Sequence, residues 1–142
     1  MNRKQFIALC DGKVRLVRAE CTLNQEKMAR ALGLSKKTLV EIEKGRASLG
    51  WTGSVALCAL FGGSEMMTAA LGGPPDELLR ALAFEGEDAP LKIAGGAWWQ
   101  TVHEANGYVI QQNMISQHYR LLDRDGQRIA SALNLEDLTI KE

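Results

Sequence analysis

The stretch LNQEKMARALGLSKKTLVEIEKG, residues 23–45, predicts two short helices joined by a tight turn. Three apolar residues at helical spacing give the first helix one apolar face: Met28, Ala29 and Leu32. Gly33 follows, where a helix can end in the left-handed conformation that costs glycine least. Ser35 can then cap a second helix, whose apolar face comprises Leu39 and Ile42. The opposite face of this second helix is predicted to be exposed.

Further helices are predicted on both sides of this pair. Residues 3–20 carry apolar side chains at helical spacing, although Asp11-Gly12 could bend or split their helix, because glycine costs about 1 kcal/mol inside a helix. Downstream of the pair, four residues predict the core face of another helix: Trp51, Val55, Cys58 and Phe61. A short helix over residues 65–71 ends at the glycines that follow it. Residues 1–72 are therefore expected to form an all-α domain of five helices.

The pattern changes further along the chain. Residues 73–96 are expected to hold one helix, over 76–84, and then an irregular linker. From Ala97 onward the side chains alternate with a period of two, and Asn-Gly and Asp-Gly pairs mark two hairpin turns. Residues 97–142 are expected to form a small antiparallel β-meander of three or four strands, with a short C-terminal helix capped by Asn134. The predicted fold class is therefore α+β.

A sheet of this size needs a cover over one face. The candidates are the helix over 76–84, the C-terminal tail and a second subunit. Trp98 and Trp99 are expected to point to opposite faces of the first strand. One of them is therefore predicted in the core, and the other at an interface or a small-molecule pocket.

The charges are distributed unevenly along a chain whose net charge is zero. Residues 1–72 contain 11 basic and 6 acidic side chains, whereas residues 73–142 contain the other 6 basic and 11 acidic ones. A polyanion would be attracted by the first part and repelled by the second. No apolar run approaches the roughly 20 residues that span a bilayer, and the start of the chain lacks the long apolar run of a signal peptide.

No metal, cofactor or enzymatic site is predicted. Cys10, Cys21 and Cys58 are widely spaced and form no CxxC motif, which is typical of free thiols in a reducing cytoplasm. His103 and His118 lie on different predicted strands, and no cysteine or acidic cluster completes a metal site with them. We find no nucleophile–base pair and no phosphate-binding glycine loop.

Residues 14–62 resemble the Cro/CI-like (XRE) family of bacterial and phage DNA-binding regulators. Several coincident positions carry the resemblance: Arg18, Leu23, Gln25, Ala29, Gly33 and Ile42-Glu43-Lys44-Gly45. It implies a helix-turn-helix whose second helix enters the major groove of double-stranded DNA. It also implies a sequence-specific transcriptional regulator, expected to be a repressor, that acts as a homodimer on a palindrome-like operator in the cytoplasm, at the nucleoid. The β-module would then serve dimerisation or the sensing of a small-molecule or protein effector.

The resemblance also implies roles for individual residues. Four on the outward face of the second helix would contact bases: Lys36, Lys37, Val40 and Glu41. Five would contact phosphates: Asn24, Gln25, Thr38, Lys44 and Arg46. Arg18 and Glu43 would form a partly buried ion pair between the first helix and the base-reading helix. The alternative for the lysines is a solvated face that only neutralises phosphates, and for the Asn24 and Thr38 side chains it is local hydrogen bonding.

Two other functions remain as alternatives. The first is an antitoxin-type autoregulator, whose C-terminal module binds a partner protein. The second is a self-cleaving repressor, because Ala94-Gly95 resembles the cleavage dipeptide of such proteins. The second alternative is disfavoured, since Ser116, Ser131 and Lys141 do not have the spacing of a Ser/Lys peptidase.

Overall fold

The computed structural model describes residues 1–87 and 96–140. The chain divides into two compact units, Met1–Pro90 and Leu91–Glu142. The described residues form helices in the first unit and an antiparallel sheet in the second, so the predicted α+β class is confirmed. Ala94-Gly95, the dipeptide that resembles a cleavage site, lies outside the described residues.

The described part of the first unit contains six helices. They are α1 (Arg3–Glu20), α2 (Gln25–Leu32), α3 (Lys36–Glu43), α4 (Gly50–Phe61), α5 (Glu65–Leu71) and α6 (Asp76–Phe84). The sequence predicted five for this part of the chain and grouped the sixth with the linker. In the structure Leu82 of α6 is buried in the same core as the other helices. Arg3 of α1 also donates hydrogen bonds to the main-chain oxygens of Leu82 (3.1 Å) and Ala83 (3.0 Å), so α6 belongs to this unit.

The core of the first unit lies between α1 and the helix pair α2–α3. Four residues of α1 are buried there: Phe6, Cys10, Val14 and Val17. The five residues that the sequence assigned to the inward faces of α2 and α3 are buried as predicted: Met28, Ala29, Leu32, Leu39 and Ile42. Because burial of a side chain of this size contributes about 1.5–3 kcal/mol, this contact fixes the helix pair against α1.

Helix α1 is continuous, although Asp11 and Gly12 could have divided it. Asp11 instead anchors the segment between α3 and α4. Its Oδ1 accepts a hydrogen bond from the Leu49 main-chain nitrogen (2.8 Å), and its Oδ2 accepts one from the Ser48 hydroxyl (2.7 Å). The aspartate therefore holds the beginning of α4, where no side chain of the helix itself provides a cap.

The buried face of α4 differs from the predicted one. Ser54, Leu57 and Cys58 are buried, whereas Trp51, Val55 and Phe61 are only partly buried. The reason is the contact with α1, where the small side chains of α4 allow the two helices to approach closely. The buried Ser54 hydroxyl donates a hydrogen bond to the Gly50 main-chain oxygen (2.7 Å).

A hydrogen bond with Cys58 and burial raise the pKa of the Cys10 thiol, which keeps it protonated and unreactive.

The second unit is a four-stranded antiparallel meander in the order β1-β2-β3-β4. Its strands are β1 (Trp99–Ala105), β2 (Tyr108–Asn113), β3 (Tyr119–Leu122) and β4 (Arg128–Ala132). The pairing register shifts at Val102 in β1 and at Ile129 in β4, so each edge strand carries a bulge. The predicted C-terminal helix is a single 3₁₀ turn, Leu135–Asp137, and the Asn134 side chain makes no capping bond there.

The C-terminal tail covers one face of the sheet. Leu138 and Ile140 pack against Ile110 of β2 and Leu121 of β3, which together form a second small core. The tail, one of the three predicted covers, therefore covers this face. Neither tryptophan belongs to this core, so that prediction was wrong.

The described residues include no single helix that is long and apolar enough to cross a membrane. Helices α4 and α5 meet such criteria only as a pair, by length and composition, with a bend of 119° between them. Both helices contribute buried residues to the core of the first unit.

Replacing Gly12 with alanine is expected to stabilise the protein by about 0.5–1 kcal/mol. Gly12 is exposed inside α1, and a Cβ atom built there has no atom within 4 Å of it, so alanine would add helix propensity without a clash. The matched control is Gly33→Ala, where φ is +74° and alanine should destabilise by about 1 kcal/mol. Urea unfolding at unchanged m-value measures both; a lower midpoint for Gly12→Ala would contradict the expectation.

Candidate nucleic-acid interface

Helix α3 lies at the surface of the first unit, with one side in the core and the other outside. Leu39 and Ile42 face the core. On the outer side, Lys36 and Lys37 are exposed at the first turn, and Val40 and Glu41 are half-buried in the next turn. The four residues assigned to base contact thus occupy the part of α3 that solvent can reach.

The beginnings of α2 and α3 are fixed by side-chain caps. The Asn24 Oδ1 atom accepts a hydrogen bond from the Lys27 main-chain nitrogen (2.8 Å) at the start of α2. At the start of α3 the Ser35 hydroxyl accepts one from the Thr38 main-chain nitrogen (3.1 Å) and donates to the Thr38 hydroxyl (2.8 Å). Asn24 and Thr38 therefore have local roles, yet both residues remain exposed to solvent.

An ion pair joins α1 to the end of α3. The Nε and Nη2 atoms of Arg18 both donate to the Glu43 Oε1 atom, at 3.0 and 2.7 Å. The Arg18 Nη1 atom donates to the Leu23 main-chain oxygen (3.1 Å), just before α2. The Glu43 side chain is only 5% exposed, and that of Arg18 is 20% exposed. The pair thus connects α1, the segment before α2 and α3 at one point.

Gln25 stands at the first position of α2 and reaches the same carboxylate. Its Nε2 atom donates to the Glu43 Oε2 atom at 3.4 Å, a long hydrogen bond. Asn24 caps the Lys27 nitrogen, whereas the main-chain nitrogens of Gln25 and Glu26 have no partner within the helix, and the helix dipole favours an anion at this end.

A small cavity of about 200 Å³ opens beside this ion pair. Six residues line it: Arg15, Arg18, Gln25, Val40, Glu43 and Lys44. Three of them are cations and one is an anion, so the local charge is positive. Arg15 is exposed and has no hydrogen-bond or ion-pair partner within the described residues. The cavity is therefore suited to an anionic oxygen of a larger ligand.

Arg15 was not among the residues predicted from the sequence to contact DNA. It precedes Arg18 by three residues, a spacing that places both side chains on one face of α1. That spacing was the available signal.

The remaining cations near α3 make only weak contacts. Lys36 Nζ lies 4.0 Å from the Glu26 carboxylate, and Arg46 Nη1 lies 4.0 Å from that of Glu41. Ion pairs at this distance on exposed side chains contribute little. Lys36 and Arg46, together with the exposed Lys37 and Lys44, are thus available to a polyanion.

The histidines of the sheet do not meet. His103 pairs with Ile110 on β2, whereas the His118 ring packs edge-on against Trp99, with 5.0 Å between centroids. Arg120 stacks over the same Trp99 ring at 3.7 Å. Over residues 1–87 and 96–140, no group of three or more His, Cys, Asp or Glu side chains is placed to hold a metal ion.

Residues 14–50 match the helix-turn-helix family model. The match covers the last part of α1, all of α2 and α3, and the segment that leads to α4. Comparison with curated proteins gives no match to this chain, and comparison with solved structures gives none either.

Removing one partner of the Arg18–Glu43 pair is expected to destabilise the protein by about 3 kcal/mol, because it leaves the other charge buried and unpaired. Arg18→Met tests this in urea unfolding. The double variant Arg18→Met/Glu43→Met should recover much of the loss, since no charge is then stranded. Arg15→Met is the matched control, because Arg15 lines the same cavity but has no partner; its change should stay within about 0.5 kcal/mol. An unchanged unfolding midpoint for Arg18→Met would contradict this role of the pair.

Proposed function

Because this chain carries a helix-turn-helix domain of the Cro/CI-like (XRE) family of DNA-binding transcription regulators, we propose that it is a repressor that binds a palindrome-like operator as a homodimer. The observation that carries the proposal is the exposed side of α3. It presents two lysines in the first turn of the helix, next to the Ser35 cap. A helix of this diameter fits the major groove of B-DNA.

Lys36, Lys37, Val40 and Glu41 are the proposed base-reading residues. Each lysine can donate to the O6 and N7 atoms of guanine. Glu41 can accept from the N4 amino group of cytosine, and a Val40 methyl group can contact the methyl group of thymine. The half-buried position of Val40, beside the Arg18–Glu43 pair, would limit it to a base at the edge of the contacted site.

The proposed phosphate contacts surround these residues. Asn24 and Gln25 stand at the start of α2, Thr38 in the first turn of α3, and Lys44 and Arg46 just beyond its end. We add Arg15, because its guanidinium group lines the same cavity as Gln25 and Lys44. A phosphate oxygen at this cavity would balance its positive charge, because the cavity is lined by three cations and only one carboxylate.

A homodimer follows from the small area that one α3 helix can read. Two such helices contact both halves of an operator when they lie about 34 Å apart, one turn of DNA. The sheet unit, residues 91–142, contains six acidic and five basic side chains, so it has no excess of positive charge to attract phosphates and would be free for dimerisation or for an effector. We place the protein in the cytoplasm, at the nucleoid of a bacterium that encodes it or is host to a phage that does.

The antitoxin-type autoregulator remains the second candidate. The exposed apolar side chains of the sheet unit favour it, since they would suit a partner protein. A small toxin gene next to this one would support this function over the simple repressor.

Selection from random duplex DNA by the purified protein is expected to yield a palindrome-like site. Lys37→Ala should relax the base preference at one position in each half-site, at a cost of about 1–3 kcal/mol there. Lys44→Ala should instead weaken all sequences alike and reduce the slope of log K against log salt by about one. Recovery of no enriched sequence, with no binding to duplex DNA at low salt, would refute the proposed function.

Arg15→Gln is expected to lower the salt slope by about one as well, with the selected sequence unchanged. Its control is Lys4→Gln, which removes an exposed charge on the same helix about 16 Å away. If Lys4→Gln and Arg15→Gln change the slope equally, the effect is one of overall charge and Arg15 makes no specific phosphate contact.

A further inference from the structure

Two arginines share the face of the sheet that lies opposite the tail. Leu121 of β3 packs under the tail, and side chains alternate between the two faces along a strand, so Arg120 lies on the other face. Ser131 pairs with Arg120 across the ladder, and Arg128 pairs with Leu122, so these two residues lie on that face as well. We call this face, which carries Arg120, Arg128 and Ser131, the open face.

Neither arginine has an acidic partner within the described residues. The Arg120 Nε and Nη2 atoms both donate to the Gln111 Oε1 atom, at 2.9 and 2.7 Å, and its guanidinium group lies over the Trp99 ring. The Arg128 Nη1 atom donates to the Ser131 hydroxyl in a long hydrogen bond of 3.4 Å. All these partners are neutral, so both positive charges stay uncompensated, although Arg120 is half-buried. An anion beside them would supply the missing charge.

Two acidic residues near these strands leave the arginine charges uncompensated. Glu104 lies on the open face, but it belongs to β1, three strand spacings or about 14 Å from β4. Surface charges at such a distance are largely screened at physiological ionic strength. Asp123 follows β3, and its Oδ1 atom accepts hydrogen bonds from the main-chain nitrogens of Asp125 and Gln127, both at 2.9 Å.

A recess opens beside the arginines. Its volume is about 380 Å³, and it is lined by Ser116, His118, Ser131, Ala132 and Leu133. Sites for small molecules have volumes of about 300–1,000 Å³, so the recess is large enough for one. No acidic residue lines it. The Ser131 hydroxyl, which accepts the hydrogen bond from Arg128, connects the recess to the uncompensated charge.

The polar groups of the recess can donate hydrogen bonds to an anion. The Ser131 hydroxyl accepts from Arg128, so its own hydrogen is available. The Ser116 hydroxyl lies 2.5 Å from the His118 Nδ1 atom. When this hydroxyl donates, the imidazole carries its proton on Nε2, which has no hydrogen-bond partner within the part of the chain that the structure describes. Leu133 adds an apolar wall.

We propose that this recess and the two arginines bind a small organic anion, a carboxylate or a phosphate monoester attached to an apolar group. The anionic oxygens would accept from Arg128, Ser131 and His118, and the apolar group would contact Leu133. Arg120 would add its charge from the neighbouring strand. In the proposed repressor such an anion would be the effector, so this regulatory role rests on the proposed function, whereas the binding itself does not.

Titration of the ¹⁵N-labelled full chain, followed by NMR, tests the proposal with phenyl phosphate and benzoate as probes. Benzyl alcohol, which has a similar ring and no charge, is the control ligand. At least one anion should bind with a Kd of about 1 mM or below, and at least about tenfold more tightly than the alcohol. The signals that shift should belong to residues 116–120 and 128–133. The anion that binds more tightly identifies the acidic group.

Arg128→Gln should weaken this binding at least about tenfold, because it removes the cation that donates into the recess. The matched control is Arg124→Gln. Arg124 is also exposed, but its Nε atom donates to the Asn106 main-chain oxygen (2.9 Å), at the other end of the sheet. This variant removes the same charge and should leave the affinity unchanged. Circular dichroism melts verify that both variants are folded.

Equal weakening in the two folded variants would overturn the proposal, because the effect would then be one of overall charge. Two anions that bind no more tightly than benzyl alcohol would also overturn it. The operator selection separates these results from the proposed function. A chain that binds an anion in the recess and selects no DNA sequence refutes the repressor and leaves the site, whereas a chain that selects a palindrome and binds neither anion does the reverse.

Discussion

The ion pair between Arg18 and Glu43 is the contact on which the candidate interface depends. The Glu43 carboxylate is almost completely buried; Arg18 compensates its charge, and the Gln25 amide donates a long hydrogen bond to it. A buried charge without a partner is costly, so the helices that supply these groups cannot separate without a large loss of free energy. The pair therefore sets the position of α3 relative to α1 and α2, and with it the direction of the exposed lysines.

The same requirement explains the charge around the site. Compensating one buried carboxylate needs one cation, yet Arg15 and Lys44 stand beside the pair as well. Their excess positive charge has no counterpart within the described residues of that cavity. In the sheet unit, by contrast, several large apolar side chains are exposed to solvent. The chain thus presents two chemically different surfaces, one suited to a polyanion and one to a protein.

The sequence predicted most of the helices and strands because their periodicity is local. It was less successful wherever a long-range contact made the choice. Helix α4 is apolar on nearly all sides, so spacing alone could not show that Ser54 and Leu57 would face α1. Helix α6 was grouped with the linker, because only its packing on the start of α1 assigns it to the first unit. The prediction that one tryptophan lies in the core was wrong, because the C-terminal tail builds that core on Ile110 and Leu121, and neither tryptophan belongs to it.

By itself, the sequence determined the helix pair of residues 23–45, its caps and turn, and the alternation of the meander, because helix propensity, glycine conformation and side-chain period act between near neighbours. Only the tertiary structure decided which distant side chains meet. Arg15, Gln25 and Lys44 converge from three places in the chain, and the strand order carries Trp98, Ile115 and Leu133 to the same end of the sheet. Such convergence depends on how helices pack and how strands are ordered, and residue spacing does not encode either.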